Sequence, residues 1–206
     1  MTHHLRATVL GIGLMAGLAA SPEAGPKTWS ITVCGPASDP RRAGVAEAVE
    51  FWNAQLAGLN AKLSLGPVSA CEAVIPDAAL AEISERVLGR AGAARLPREL
   101  DGVGGDIIVA LSGADLVSVG VPRLGRRQGL VILRRGDVPP LSLPNVSRNT
   151  AAHELGHILG LSHNDDPATL MCGRPAPCRP ARFSSQTPRF FPLTEADRRS
   201  LVKRFD

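Results

Sequence analysis

His153-Glu154-Leu155-Gly156-His157-Ile158-Leu159-Gly160-Leu161-Ser162-His163 is the stretch from which the rest of the chain can be read. It has the form H-E-x-x-H-x-x-G-x-x-H, and each fixed letter has its own chemical use. His153 and His157 are four residues apart, which on a helix sets them one turn above the other on a single face. Two imidazoles so placed can point at one metal ion. Glu154 can then reach a water molecule on that ion and act as general base. Gly160 falls where the helix must stop, because glycine takes the left-handed conformation that ends a helix and turns the chain. The turn brings His163 back as a third nitrogen. Three protein nitrogens leave a fourth position for water or substrate, which is the pattern of a catalytic rather than a structural zinc.

The chain has five histidines; His3 and His4 lie in the N-terminal tail, and the other three are all in this motif. One alternative is a surface helix carrying solvated histidines. Another is a zinc site without catalysis, against which the presence of Glu154 speaks.

After His163 come Asn164-Asp165-Asp166-Pro167-Ala168-Thr169-Leu170-Met171. A long histidine motif followed closely by a methionine resembles the metzincin zinc peptidases. The short D-P-x-x-x-M spacing is similar to that of their matrixin (matrix metalloproteinase-like) branch. The resemblance covers residues 145 to about 172. It implies an α+β fold, with a twisted mixed β-sheet, two backing helices of which one carries the zinc motif, a Met-turn and a C-terminal helix. It further implies one catalytic Zn2+ on His153, His157 and His163, with Glu154 as general base and Met171 as the apolar floor beneath the histidines. The substrate would be a protein or peptide, held in extended form along an edge strand, with residues 172 to 190 walling the pocket. A binding module on the same scaffold, or a peptidase with one narrow target, would share these features.

Two departures from the matrixin pattern are Asn164, where a serine is usual, and Cys172, where a tyrosine is usual. The chain has no tyrosine at all, so the tyrosine ligand of astacin-like and serralysin-like relatives is excluded. Oxyanion stabilisation would then fall to zinc and backbone groups. No histidine between the tail and the motif could hold the second, structural zinc of the matrixins, so one zinc is expected. Calcium is signalled neither way.

The 206 residues suffice for one domain with a real core. Met1 to Arg6 form a basic start, Ala7 to Ala20 an uncharged apolar run, and Ser21-Pro22-Glu23-Ala24 a small-residue end. That is the layout of a secretory signal peptide, giving residues 1–24 as leader and 25–206 as the catalytic domain. A retained membrane anchor is the alternative, although the run is short for spanning a bilayer. A secreted or periplasmic protein is expected. Four cysteines in an exported chain suggest two disulfides. Three pairings exist, and Cys34 with Cys71 beside Cys172 with Cys178 is the one favoured. Cys34-Gly35 as a zinc-binding latency switch is the rival, but Cys34 sits in a strand-like run with little chain before it. The net charge of +4 fits a soluble basic surface; no motif or aromatic interleaving points to nucleic acid. A monomer without stable membrane insertion is expected.

Trp29 to Cys34 alternates like a half-buried strand. Asp39-Pro40 opens a helix with a core face at 45, 48, 49, 52, 56 and 59. Leu63 to Leu65 reads as a short strand, Asp77 to Leu88 as a second helix, and Asp106 to Leu111 as a buried strand. Leu116 to Val121 and Leu130 to Leu133 are two more strands, the former the candidate substrate edge, although an ordinary sheet edge reads the same. The motif helix is expected over Val146 to Leu159. A final helix starts at Thr194, capped with Asp197, with Leu201, Val202 and Phe205 as its apolar face.

Overall fold

The computed structural model of the chain describes residues 25–90, 97–173, 178 and 189–206; the expected signal peptide and most of the expected pocket wall fall outside these. The alternation at Trp29–Cys34 becomes strand β1 (Lys27–Cys34), with Ile31 and Val33 fully buried. The Asp39 carboxylate accepts the Arg41 N–H at 2.9 Å, and Pro40 leads into helix α1 (Arg41–Gly58). Its buried face carries Val45, Ala48, Val49, Trp52 and Leu56.

Strand β2 (Leu63–Cys71) is longer than the three residues its apolar run suggests. The added part contains Gly66 and Pro67, which weaken a strand signal yet are tolerated at a sheet edge. Its pairing with β1 continues to Cys34 opposite Cys71. Helix α2 (Asp77–Glu85) is three residues shorter than expected, because Arg86–Arg90 form a separate π-helical turn containing Gly89 at φ 81°. Strands β3 (Ile107–Leu111), β4 (Val119–Pro122) and β5 (Gly129–Leu133) follow. Every residue of β3 and β5 is buried, as befits parallel strands covered on both faces.

The sheet order is β2-β1-β3-β5-β4, with β4 alone antiparallel. The sheet is thus mixed, as expected, but more parallel than an α+β class suggests. The connections β1–α1–β2 and β2–α2–β3 both join parallel strands, which requires crossovers long enough to hold a helix. Helix α1, the motif helix α3 (Pro144–Ile158) and the final helix α4 (Glu195–Phe205) share the core on one face, with Trp52, Leu155 and Leu201 in it. Helix α2 contributes Leu80 and Ile83 to the core on the other. Thr194 and Asp197 form the reciprocal capping box of α4. Val202 is 37% exposed, so the packed face of α4 is Leu201 with Phe205, whose ring meets Trp29 edge-on.

Both disulfides have the favoured pairing: Cys34–Cys71, spanning 37 residues, and Cys172–Cys178, spanning 6. The first closes the β1–α1–β2 unit at the carboxyl ends of its strands. Replacing Cys34 and Cys71 together by alanine should lower unfolding stability by about 4 kcal/mol, the chain-entropy value for a loop of this length. Urea unfolding of the double variant checks this; an unchanged midpoint would mean the β1–β2 ladder alone holds the ends together.

Candidate metal centre

Helix α3 begins with Pro144 at its first position, where a missing N–H is harmless. Its buried polar residue Asn149 donates to the Asn145 and Arg189 carbonyls and accepts the Phe191 N–H at 2.9 Å. Trp52 of α1 donates its indole N–H to the Ala152 carbonyl at 2.9 Å. The helix is therefore fixed to α1 on one side and to the chain entering α4 on the other, just before His153.

The three histidines converge. Nε2 of His163 lies 3.1 Å from Nε2 of His153 and 3.1 Å from Nε2 of His157. The opposite nitrogens are tied down: Nδ1 of His153 to the Leu170 carbonyl at 2.8 Å, and Nδ1 of His157 to the Leu161 carbonyl at 2.9 Å. A carbonyl only accepts, so both Nδ1 atoms carry the proton and both Nε2 atoms present lone pairs. Burial pushes the His157 and His163 imidazoles below their ordinary value, which keeps them neutral. With its own proton on Nδ1, His163 would turn a third lone pair to the same point, where one cation could engage all three nitrogens. Nitrogens about 2.0–2.1 Å from a tetrahedral zinc stand about 3.3 Å apart, so the donor set and its spacing fit Zn2+. Among the described residues this is the one His, Cys, Asp and Glu cluster suited to a metal.

Gly160, at φ 94°, makes the turn after α3, and the guanidinium of Arg204 on α4 lies directly over it. Asn164 organises the return. Its side-chain oxygen accepts from the Asp166 N–H and the Thr169 hydroxyl, and its backbone bonds both Met171 and Gly173. Met171 is fully buried, its sulfur close against Gly156 between the two helix histidines. Cys172, beside it, is held by the disulfide to Cys178.

Glu154 is 6% exposed. Burial pushes its carboxyl up to about 8, against the opposing hydrogen bond from the Gly120 N–H. A divalent cation alongside would favour the carboxylate. Gly120 belongs to β4, and a Cβ there would collide with the Glu154 carbonyl and crowd the His157 Cβ. Strand β4 thus lies directly against α3, and among the described residues its outer edge has no partner strand. Gly173 is as tightly placed, since a Cβ there would strike the His163 ring. The histidines, Glu154, Gly120, Cys172, Cys178 and Arg204 all line one cleft of about 660 Å3.

His153, Glu154, His157, Gly160, His163 and Met171, all marked in the sequence, come together. Asn164, Gly120 and Gly173 support them without such a mark: Asn164 stands out in the sequence only as a departure from the matrixin pattern, and nothing in a lone glycine marks its contact with a ring distant in the chain.

No protein-family model and no curated protein matches the chain. Its fold is similar to the crystal structure of archaemetzincin from Methanopyrus kandleri, at a TM-score of 0.52 and 16% identity, over 90% of this chain and 98% of that one. The chain accordingly has an archaemetzincin-like fold built around a three-histidine cleft.

Proposed function

We propose that the protein is a zinc-dependent endopeptidase of the metzincin kind. The observation that carries this is the convergence of three histidine Nε2 atoms beside the buried Glu154 carboxyl, in a cleft bordered by strand β4 at the edge of the sheet. The archaemetzincin-like fold supports it. The D-P-x-x-x-M spacing is the matrixin-like feature, whereas the fold likeness is to archaemetzincin, so the reading is made at the level of the metzincins.

A bound zinc ion supplies Lewis acidity to a substrate carbonyl and acidifies water. Glu154 takes the proton of the attacking water and passes it to the leaving amine. His153 and His157 are oriented for their task by the Leu170 and Leu161 carbonyls, the outer partners that set the tautomer of a ligating imidazole. The substrate backbone pairs with the free edge of β4. The two disulfides suit an oxidising compartment, which supports action outside the cytoplasm. No helix of the described residues is long and apolar enough to cross a membrane.

The test is cleavage of a denatured protein by the purified chain, with zinc measured on the same sample. One zinc per chain is expected, with cleavage abolished by a chelator and restored by adding zinc. Chelator-resistant cleavage, or a metal-free active protein, would overturn the proposal.

A further inference from the structure

Six large apolar side chains stand exposed among the described residues, and three of them, Val87, Leu88 and Val117, line the cleft that holds the histidines. Scattered exposed valines need no explanation, but a cluster inside a binding cleft does. These three are also held in place. The buried Ser84 hydroxyl, in the last turn of α2, donates to the Val117 carbonyl at 2.7 Å. That bond ties the π-helical turn carrying Val87 and Leu88 to the approach of β4. On either side of Val117, Leu116 and Val119 are buried in the core with Leu80 and Ile83 of α2. The backbone is therefore anchored from below, while the three side chains remain 41–46% exposed at the opening.

We infer that Val87, Leu88 and Val117 form a recognition subsite for one large apolar side chain of the peptide substrate. The inference rests on the peptidase reading and adds a specificity to it. Val117 is three residues from Gly120, the point of β4 that touches Glu154 and His157. Three residues of extended chain span about 10 Å. A peptide laid along β4 brings to this shelf a side chain about three positions from the bond to be cleaved. An apolar side chain there covers area that is otherwise wet; a polar one gains nothing.

The experiment uses a polar fluorogenic peptide in which a single leucine is walked outward from the cleaved bond in both directions. With the wild-type chain, kcat/KM should be at least about 10-fold higher for leucine than for serine at one position, two to four residues away. The triple variant Val87→Ser, Leu88→Ser, Val117→Ser should reduce that preference to about 2-fold or less through KM. It should keep its zinc content and its kcat on the all-polar peptide. A second variant, Leu88→Arg, should turn the preference at that position toward glutamate, which a misfolded protein cannot do. An unchanged leucine preference in the triple variant would overturn the subsite, as would a loss that falls equally on all peptides. If the wild type cleaves no peptide, the peptidase reading fails. The subsite is then decided by anisotropy of labelled peptides on the zinc-loaded chain: leucine-selective binding abolished in the triple variant supports it, and unselective binding overturns it.

Discussion

Glu154→Gln should leave one zinc per chain and an unchanged fold, and lower kcat by about 10²- to 10⁴-fold, the span that removal of a general base produces. The side chain is buried, so the replacement must keep its shape, and glutamine does. Its amide oxygen can still accept the Gly120 N–H that now bonds the carboxylate. What disappears is the capacity to take a proton. Helix α3 is fixed by the hydrogen bonds of Trp52 to Ala152 and of Asn149 to Phe191, neither of which involves residue 154, so the histidines should stay where they are. Zinc content by mass spectrometry and single-turnover cleavage of a denatured protein report the two halves independently. Full activity in the variant would remove Glu154 from the mechanism; loss of zinc would make it a structural support of the site.

The site was legible in the sequence to the extent that its residues are near neighbours. His153, Glu154 and His157 need only a helix to come together, and Gly160 announces the turn that returns His163. The capping box of α4 is equally local, and Thr194 with Asp197 declares it. The sheet was legible where strands are apolar throughout, as in β3 and β5, whose continuous runs reflect burial on both faces. The extent of β2 was not, because an edge strand can include Gly66 and Pro67 without a central strand's penalty. The extra turn after α2 was not, because Arg86 to Leu88 carry helix-compatible residues and only the left-handed Gly89 shows where the pattern changes. Least legible were contacts between segments far apart in the chain. Gly120 sits against Glu154 and Gly173 against His163, and neither pairing leaves a periodicity or a spacing to be read. Asn164 is intermediate: its bonds to Asp166 and Thr169 are local, but its amide also donates to Asp197 of α4 at 3.4 Å, and its importance depends on Met171 being folded against Gly156.

Gly173 offers the sharper test of how the third ligand is held. Gly173→Ala should lower zinc affinity by about 10- to 100-fold, the range seen when a support of a metal ligand is altered, and His163→Ala should lower it further. The methyl group of alanine would occupy the space of the His163 ring. The backbone at residue 173 has little freedom to retreat. Its N–H bonds the Asn164 carbonyl at 3.0 Å, and the preceding Cys172 is held by its disulfide to Cys178. The ring is the softer partner, because His163 is an exposed side chain whose hydrogen-bond contacts among the described residues are through Nε2, with the other two histidines. It should therefore swing out, and its lone pair with it. The atoms nearest a Cβ at Gly173 all belong to the His163 ring, so thermal unfolding of the metal-free chain should be nearly unchanged. Competition with a fluorescent zinc chelator measures the affinity, and the wild type, Gly173→Ala and His163→Ala should fall in that order. Wild-type affinity in Gly173→Ala would show that the segment after Met171 yields instead of the ring, and that His163 is positioned by the Gly160 turn alone.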